Sequence, residues 1–421
     1  MNNTLFIKTR LSILMFLQVF VFGVTSPIMS LYLTKCLNFS SSQAGIILSV
    51  AGITTIISPI MGTFIADRLI SAERLLIICH LFASAFILVF SFQTSFKSVL
   101  VAYLFYMLVL GCTSGIATAI VFNHETDAKK NFGGIRMWGT IGWIASAWLF
   151  SYIWLRGAEG ATALMRLGAT LKVSSCISLI LAVYILTLPK SKVNLKEKKT
   201  LFPVEALSVM AKPQLILLSV LMFLSFVSFQ FYSFGMAPFL QQSGYRASDI
   251  MPLMSVGQIA ETIGLGFLGY FLLRKSYKTV LSLGMLLNLW PYIAFSLGAS
   301  FPLILLGILS QGFCFALFFT GACIYFDSQC DPEARSGVQQ IIGIIAYGFG
   351  TSLGNLSAGQ TASFFQISQT AATGSVNYSM YWIVPLVIDA VVLLLLVVFF
   401  KEESSQKKES SRRKAVKEVQ G

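Results

Sequence analysis

Runs of about 20 apolar residues recur along the whole chain, and each is long enough to cross a hydrocarbon layer as a helix. Twelve can be placed, at 11–34, 42–66, 75–94, 98–123, 134–155, 167–188, 214–240, 249–273, 279–298, 302–326, 336–359 and 380–400. In such a layer each backbone polar group must be satisfied within its own segment, so the runs read as α-helices. The strands of a membrane barrel would alternate apolar and polar residues instead. Charged side chains make up only 11% of the 421 residues, against about 25% in an average soluble domain. With a mean hydropathy of +0.78, the chain cannot cover a soluble surface. That excludes an ordinary soluble enzyme, a disordered protein and a secreted disulfide scaffold.

The loops are short with one exception. Residues 189–213 form a charged linker, which separates six runs in 1–188 from six in 214–400; residues 401–421 are a polar, basic tail. The net charge of +13 would suggest nucleic acid in a soluble protein. Here the basic residues sit in loops and in the tail, so they report topology and no nucleic-acid partner is expected. With both termini in the cytoplasm, sixteen loop Lys and Arg and seven in the tail lie inside. Only Lys35, Lys97, Arg156, Arg166 and Arg246 lie outside, the asymmetry of the positive-inside rule. The first run follows Lys8 and Arg10 without a small-residue cleavage site, and it reads as a retained span. The seven cysteines form no C-x-x-C pair, so no metal site, disulfide framework or cofactor is expected.

Six spans plus six, with a cytoplasmic linker and both ends inside, is the layout of the major facilitator superfamily. Its halves enclose a substrate site near the midplane. A local motif agrees with it. Gly62-Thr63-Phe64-Ile65-Ala66-Asp67-Arg68, followed by Glu73-Arg74, resembles that superfamily's loop after the second span. The resemblance implies that Gly62 allows close helix packing and that Asp67 and Arg68 form a gating latch. A charged loop obeying positive-inside is the plainer account.

Polar groups in hydrocarbon are costly and usually face a bundle interior or a water-filled cavity. Most acids lie in loops. Glu261 is about twelve residues into the eighth span, roughly 18 Å at 1.5 Å per residue, and Asp389 is mid-span in the twelfth. Gln258 and Glu261 share a helix face, and Gln230 and Ser233 have the same spacing in the seventh span. Gln311 and Phe315 lie one turn apart in the tenth. The fifth span opens with Arg136 and Thr140 beside Trp138 and Trp143, and Gln18 lies in the first. Together they offer donors, acceptors, aromatic planes and one charge of each sign. Such a set suits a neutral polar ring compound with several hydroxyls, not a lipid or a polyanion. Each has a plainer reading: a glutamine bonding a neighbouring helix, an arginine reaching the interface, an aspartate pairing with another span. Gly350 and Gly354 form a G-x-x-x-G, most simply a close-packing face.

Several strings go further. Gly134-Ile135-Arg136-Met137-Trp138-Gly139-Thr140-Ile141-Gly142 and Gln258-Ile259-Ala260-Glu261-Thr262 resemble the fifth- and eighth-span motifs of the bacterial nucleoside:proton symporter family. Phe16-Leu17-Gln18 and Ile77-Ile78-Cys79-His80 are similar to its first and third spans. The resemblance covers about 10–400. It implies nucleoside contacts at Arg136, Thr140, Trp143, Gln230, Ser233, Gln258, Glu261 and Phe315, with Gln311 where the family carries tyrosine. It departs from the family at Ala316, which stands where the family has an aspartate, and at Ser233, in place of an asparagine. Glu261 is then the one clear cavity carboxylate. Burial disfavours its charge and Arg136 favours it, so rocking could switch its protonation.

The expected protein is an all-α, twelve-span transporter that imports nucleosides by proton symport and alternating access. Its place is the cytoplasmic (inner) membrane, and its partners are nucleoside, protons and the lipid bilayer. A monomer and no enzymatic activity are expected. A facilitator for another neutral solute, a nucleobase or a sugar, remains an alternative.

Overall fold

The structure, a computed structural model, describes residues 2–68, 70–125, 128–158, 160–189, 204–331, 334–367 and 375–402. Twelve long helices carry the fold. They are α1 (Phe6–Cys36), α2 (Ser41–Arg68), α3 (Ala72–Ser91), α4 (Phe96–His124), α5 (Ala128–Leu149) and α6 (Gly160–Ile185). After a short helix, Val204–Met210, come α7 (Pro213–Gln242), α8 (Ala247–Arg274), α9 (Tyr277–Leu297), α10 (Phe301–Ser328), α11 (Arg335–Phe364) and α12 (Tyr378–Phe399). Most of the linker (190–203) and most of the tail (403–421) fall outside the described residues.

Among the described residues, eleven of these helices are long and apolar enough to span a membrane. The exception is α5. It is as long as the rest, but Arg136, three tryptophans and four glycines lower its hydropathy. The span with the weakest apolar signal is therefore the one that carries the most distinctive motif. Serine caps start α4 and α9: Ser95 accepts from Ser98 N, and Ser276 from Thr279 N. Each satisfies a donor that the first helical turn leaves free. After α7 the chain turns through Gly244 at φ 87°, a backbone region that side chains rarely enter.

The helix pairs repeat with an offset of six. In the first half α1 packs on α5 and α6, α3 on α4 and α6, and α2 on α4. In the second half α7 packs on α11 and α12, α9 on α10 and α12, and α8 on α10. Two symmetric pairs, α2 with α11 and α5 with α8, join the halves. The first of these is a close backbone contact. A Cβ at Gly52 would overlap Gly348 O and Ser352 Oγ, and one at Gly45 would come 2.7 Å from Asn355 O. Ser352 Oγ donates to Ser49 O at 2.9 Å. Small residues bring helices together in lipid because dispersion and hydrogen bonding must replace a hydrophobic drive there. These contacts lie toward the face that carries the 37–40 and 243–246 loops, so the molecule is closed on that face.

Of the expected latch, Gly62 is buried and packs on Cys112 of α4, 3.4 Å from a built Cβ. The side chains of Asp67 and Arg68 lie outside the described residues.

Candidate functional site

Between the halves lies a cavity of about 460 Å³, within the usual range for small-molecule sites. Its walls come from α1, α2, α4, α5, α7, α8, α10 and α11. Glycine contacts set the polar side chains in place. Gly312 of α10 faces Gly257 O and Glu261 N of α8 so closely that no Cβ fits between them. That contact puts Gln258 and Glu261 beside Gln311 and Phe315. Gly354 of α11 sits against Gln230 of α7, with a built Cβ 2.6 Å from Gln230 Cβ. The expected G-x-x-x-G is thus a packing face against α7. Gly142 of α5 meets Phe16 O of α1, and Trp143 packs on Phe22 with ring centroids 5.6 Å apart.

Seven of the nine expected contact residues line this cavity: Trp143, Gln230, Ser233, Gln258, Glu261, Gln311 and Phe315. Thr140 and Arg136 do not. Thr140 is half-buried on α5, while Arg136 is exposed and its guanidinium lies over Gly139. No ion pair within 4 Å joins Arg136 to Glu261 among the described residues. Among the lining residues, Glu261 is the one ionisable carboxylate.

Gln230 is held from α11: its Oε1 accepts from Asn355 Nδ2 at 3.2 Å, and its Nε2 donates to Thr351 Oγ1 at 3.5 Å. Gln311 is different. It is 3% exposed, and neither its Oε1 nor its Nε2 has a hydrogen-bond partner among the described residues. A buried primary amide with both ends unmet is costly unless something fills the space before it. Around it the rings of Phe229 and Phe315 lie 5.7 Å apart, and Phe226 meets Tyr347 edge-on at 4.7 Å. The cavity therefore offers amides, one carboxylate and aromatic faces.

Gln18 and Asp389 sit elsewhere. Gln18 donates to Thr113 Oγ1 at 2.6 Å and accepts from His80 Nε2 at 2.8 Å, a buried network inside the first half. Asp389 is fully buried among α7, α9 and α12. The sequence reading did not single out Tyr347, Thr351 and Asn355 of α11, which also line the cavity. Their i, i+4, i+8 spacing is one helical stripe and was the available signal. Three of the cavity-lining helices widen into π-helical turns, α1 at Tyr32–Cys36, α10 at Phe315–Thr320 and α11 at Gly343–Phe349, a distortion often found at functional sites.

Twelve long helices in two matching halves, around a cavity that presents amides, one carboxylate and aromatic rings, make this a transporter of the major facilitator type. The chain belongs to the nucleoside H+ symporter family, whose sequence profile matches residues 5–405; this is a family of transporters, not of enzymes. It is 27% identical over 393 residues to the putative nucleoside transporter YegT of Escherichia coli, covering 91% of each chain. It is 24% identical to the nucleoside permease NupG of Escherichia coli, covering 90% of this chain and 92% of that one. The crystal structure of the nucleoside transporter NupG superposes with a TM-score of 0.83 at 22% identity, covering 94% of this chain and all of that one. A bacterial homologue of the lysosomal transporter Spinster, in an inward-facing, unoccupied conformation, gives 0.74 at 17% identity, covering 94% and 97%.

Proposed function

We propose that this protein imports nucleosides across the cytoplasmic membrane together with protons. The observation that carries this reading is Gln311: a buried amide, unmet at both ends, in a cavity that also presents Gln230, Gln258, Glu261 and aromatic rings. An amide pairs with adjacent donor and acceptor atoms on a nucleobase edge. A ring face can lie on Phe315 or Trp143, and ribose hydroxyls suit Gln258 and the Glu261 carboxylate. Ser233 offers one more hydroxyl. Arg136 and Thr140, next to the cavity on α5, join the contact set when the halves rock.

In this reading the six-helix halves, 1–188 and 214–400, rock about the cavity, with 189–213 as a cytoplasmic tether and 401–421 as a cytoplasmic tail. Both termini face the cytoplasm, as the Lys and Arg asymmetry supports, so the closed face is the external one. Gly62, Asp67 and Arg68 then act as the latch on the cytoplasmic side. The protein works as a monomer, since one chain encloses the whole cavity. Glu261 carries the coupled proton, as the one carboxylate among the residues that line the cavity.

Uptake of labelled uridine and adenosine into proteoliposomes, with and without an inward proton gradient, tests this reading. Accumulation above equilibrium only with the gradient, competed by nucleosides and not by sugars, is the expected outcome. Equal competition by sugars would overturn the substrate class, and accumulation independent of the gradient would overturn the coupling.

A further inference from the structure

Asp389 is 0% exposed, at the middle of α12. Its Oδ2 accepts from Ser228 Oγ of α7 at 2.6 Å and from Asn288 Nδ2 of α9 at 2.7 Å. Among the described residues its Oδ1 has no hydrogen-bond partner, and neither does Asn288 Oδ1; both atoms are buried. No Lys, Arg or His pairs with the carboxyl among the described residues. The titratable groups that bear on it are Tyr292 of α9 and Cys314 of α10; the residue that α7 contributes, Ser228, is neutral. Tyr292 gives its hydroxyl hydrogen to Ser228 O at 3.1 Å and has none left for Asp389.

A carboxylate so placed would be a bare negative charge in the protein interior, and two hydrogen bonds do not offset that desolvation. One added proton resolves the whole cluster. It neutralises the carboxyl and turns the unmet Oδ1 from a second orphan acceptor into a donor. The neighbouring Asn288 Oδ1 is an acceptor that lacks such a donor. An acid and an amide can exchange two hydrogen bonds in this way, and one of the two, Asn288 Nδ2 to Asp389 Oδ2, is already in place.

The cluster is also tied to the substrate cavity through α7. Ser228 precedes the cavity residue Gln230 by two positions. The Ser228 hydroxyl has one hydrogen and two acceptors in reach, Asp389 Oδ2 at 2.6 Å and Pro385 O at 3.3 Å. Any shift of α7 that lets Gln230 leave Asn355 and Thr351 for a ligand moves Ser228 as well; the Ser228 bond to Asp389 is then lost, but the opened cluster admits water, which solvates the carboxylate and takes the proton.

We propose that Asp389 is a second proton-binding site of this transporter. It lies outside the substrate cavity, is loaded in this conformation, and is emptied when α7 moves during the cycle. The proposal rests on the symporter reading for the emptying but not for the loading, so two readouts separate them. The loading is read by difference infrared spectroscopy of purified protein in detergent, without substrate, comparing wild type with Asp389→Asn. A protonated-carboxyl C=O band near neutral pH that is lost in the variant is expected. If the two spectra match in that region, Asp389 is ionised and the proposal falls. The emptying is read as protons taken up per nucleoside in proteoliposomes. Asp389→Asn mimics the protonated acid, so it is expected to keep nucleoside counterflow and to move about one proton fewer per nucleoside. An unchanged ratio would mean that the proton never leaves, and the carrier role would be overturned. Should Asp389→Asn misfold, Ser228→Ala keeps the acid and removes a donor to its charged form. It is expected to extend the infrared band to higher pH than in wild type, and a band with unchanged pH dependence would count against the proposal. A wild type that shows the band but no gradient-driven uptake would overturn the symporter reading while leaving the loading intact.

Discussion

Trp148 Nε1 donates to Ser255 Oγ across 2.9 Å, a side-chain hydrogen bond from α5 of the first half to α8 of the second. Ser255 is 1% exposed, and its own hydroxyl donates to Pro252 O at 2.7 Å. The indole therefore meets an oriented acceptor at the closed face. It lies on the α5–α8 pair, the symmetric counterpart of the α2–α11 pair.

Trp148→Phe removes that bond and keeps most of the ring. The closed-face state is expected to lose about 1 kcal/mol, roughly a fivefold shift in its equilibrium against the other state. Labelling of a reporter cysteine placed on the inner surface of α8 should speed up from the 243–246 side. An unchanged labelling rate would show that the bond does not bias the gate.

Gly52→Ala addresses the same face from α2. The added methyl would overlap Gly348 O and Ser352 Oγ, and backbone cannot yield as a side-chain tip can. The expected variant keeps its helical circular dichroism but cannot close this face, and it transports at a few per cent of the wild-type rate or less. Transport near wild type would mean that the halves can close with a wider α2–α11 spacing.

Gln311→Leu separates a binding role from a packing role. Without ligand the variant loses two unmet buried polar atoms and gains apolar contact. It should be more stable than wild type, by about 1–3 kcal/mol, the usual penalty of such a group. Nucleoside binding measured by calorimetry should weaken by a similar amount, because the base edge loses its partner. A variant both less stable and equally tight would show that Gln311 only fills space.

Glu261→Gln keeps the shape of the carboxyl and removes its ability to release a proton. Nucleoside exchange across a proteoliposome membrane is expected to persist, while accumulation driven by an acidic exterior falls and about one proton fewer moves per nucleoside. Accumulation and proton ratio both unchanged would show that the coupling does not need Glu261.

The division of labour between sequence and tertiary structure shows in particular residues. The run lengths dictated helices, because a chain in hydrocarbon has no other way to satisfy its backbone along one segment. The polar residues inside those runs, Gln230, Gln258, Glu261 and Gln311, stood out for the same energetic reason, and all four line the cavity. Energetic cost does not say which partner repays it, so position alone could not tell Gln18 from Gln311. Gln18 is satisfied by Thr113, 95 residues away, and by His80, whereas Gln311 is satisfied by nothing among the described residues. The α11 stripe of Tyr347, Thr351 and Asn355 was hidden because one aromatic and two small polar residues in a glycine-rich helix look like packing until the neighbouring helix is known. Asp389 is the clearest case. One sequence position showed a costly acid, but whether it meets a cation, a cavity or two neutral donors depends on α7 and α9, more than 100 residues away. The sequence thus determined the elements, the membrane and the family, since those follow from local length, hydropathy and motif. Which polar groups face a ligand and which face one another was decided by tertiary packing, because hydrogen-bond partners are set by distance in space.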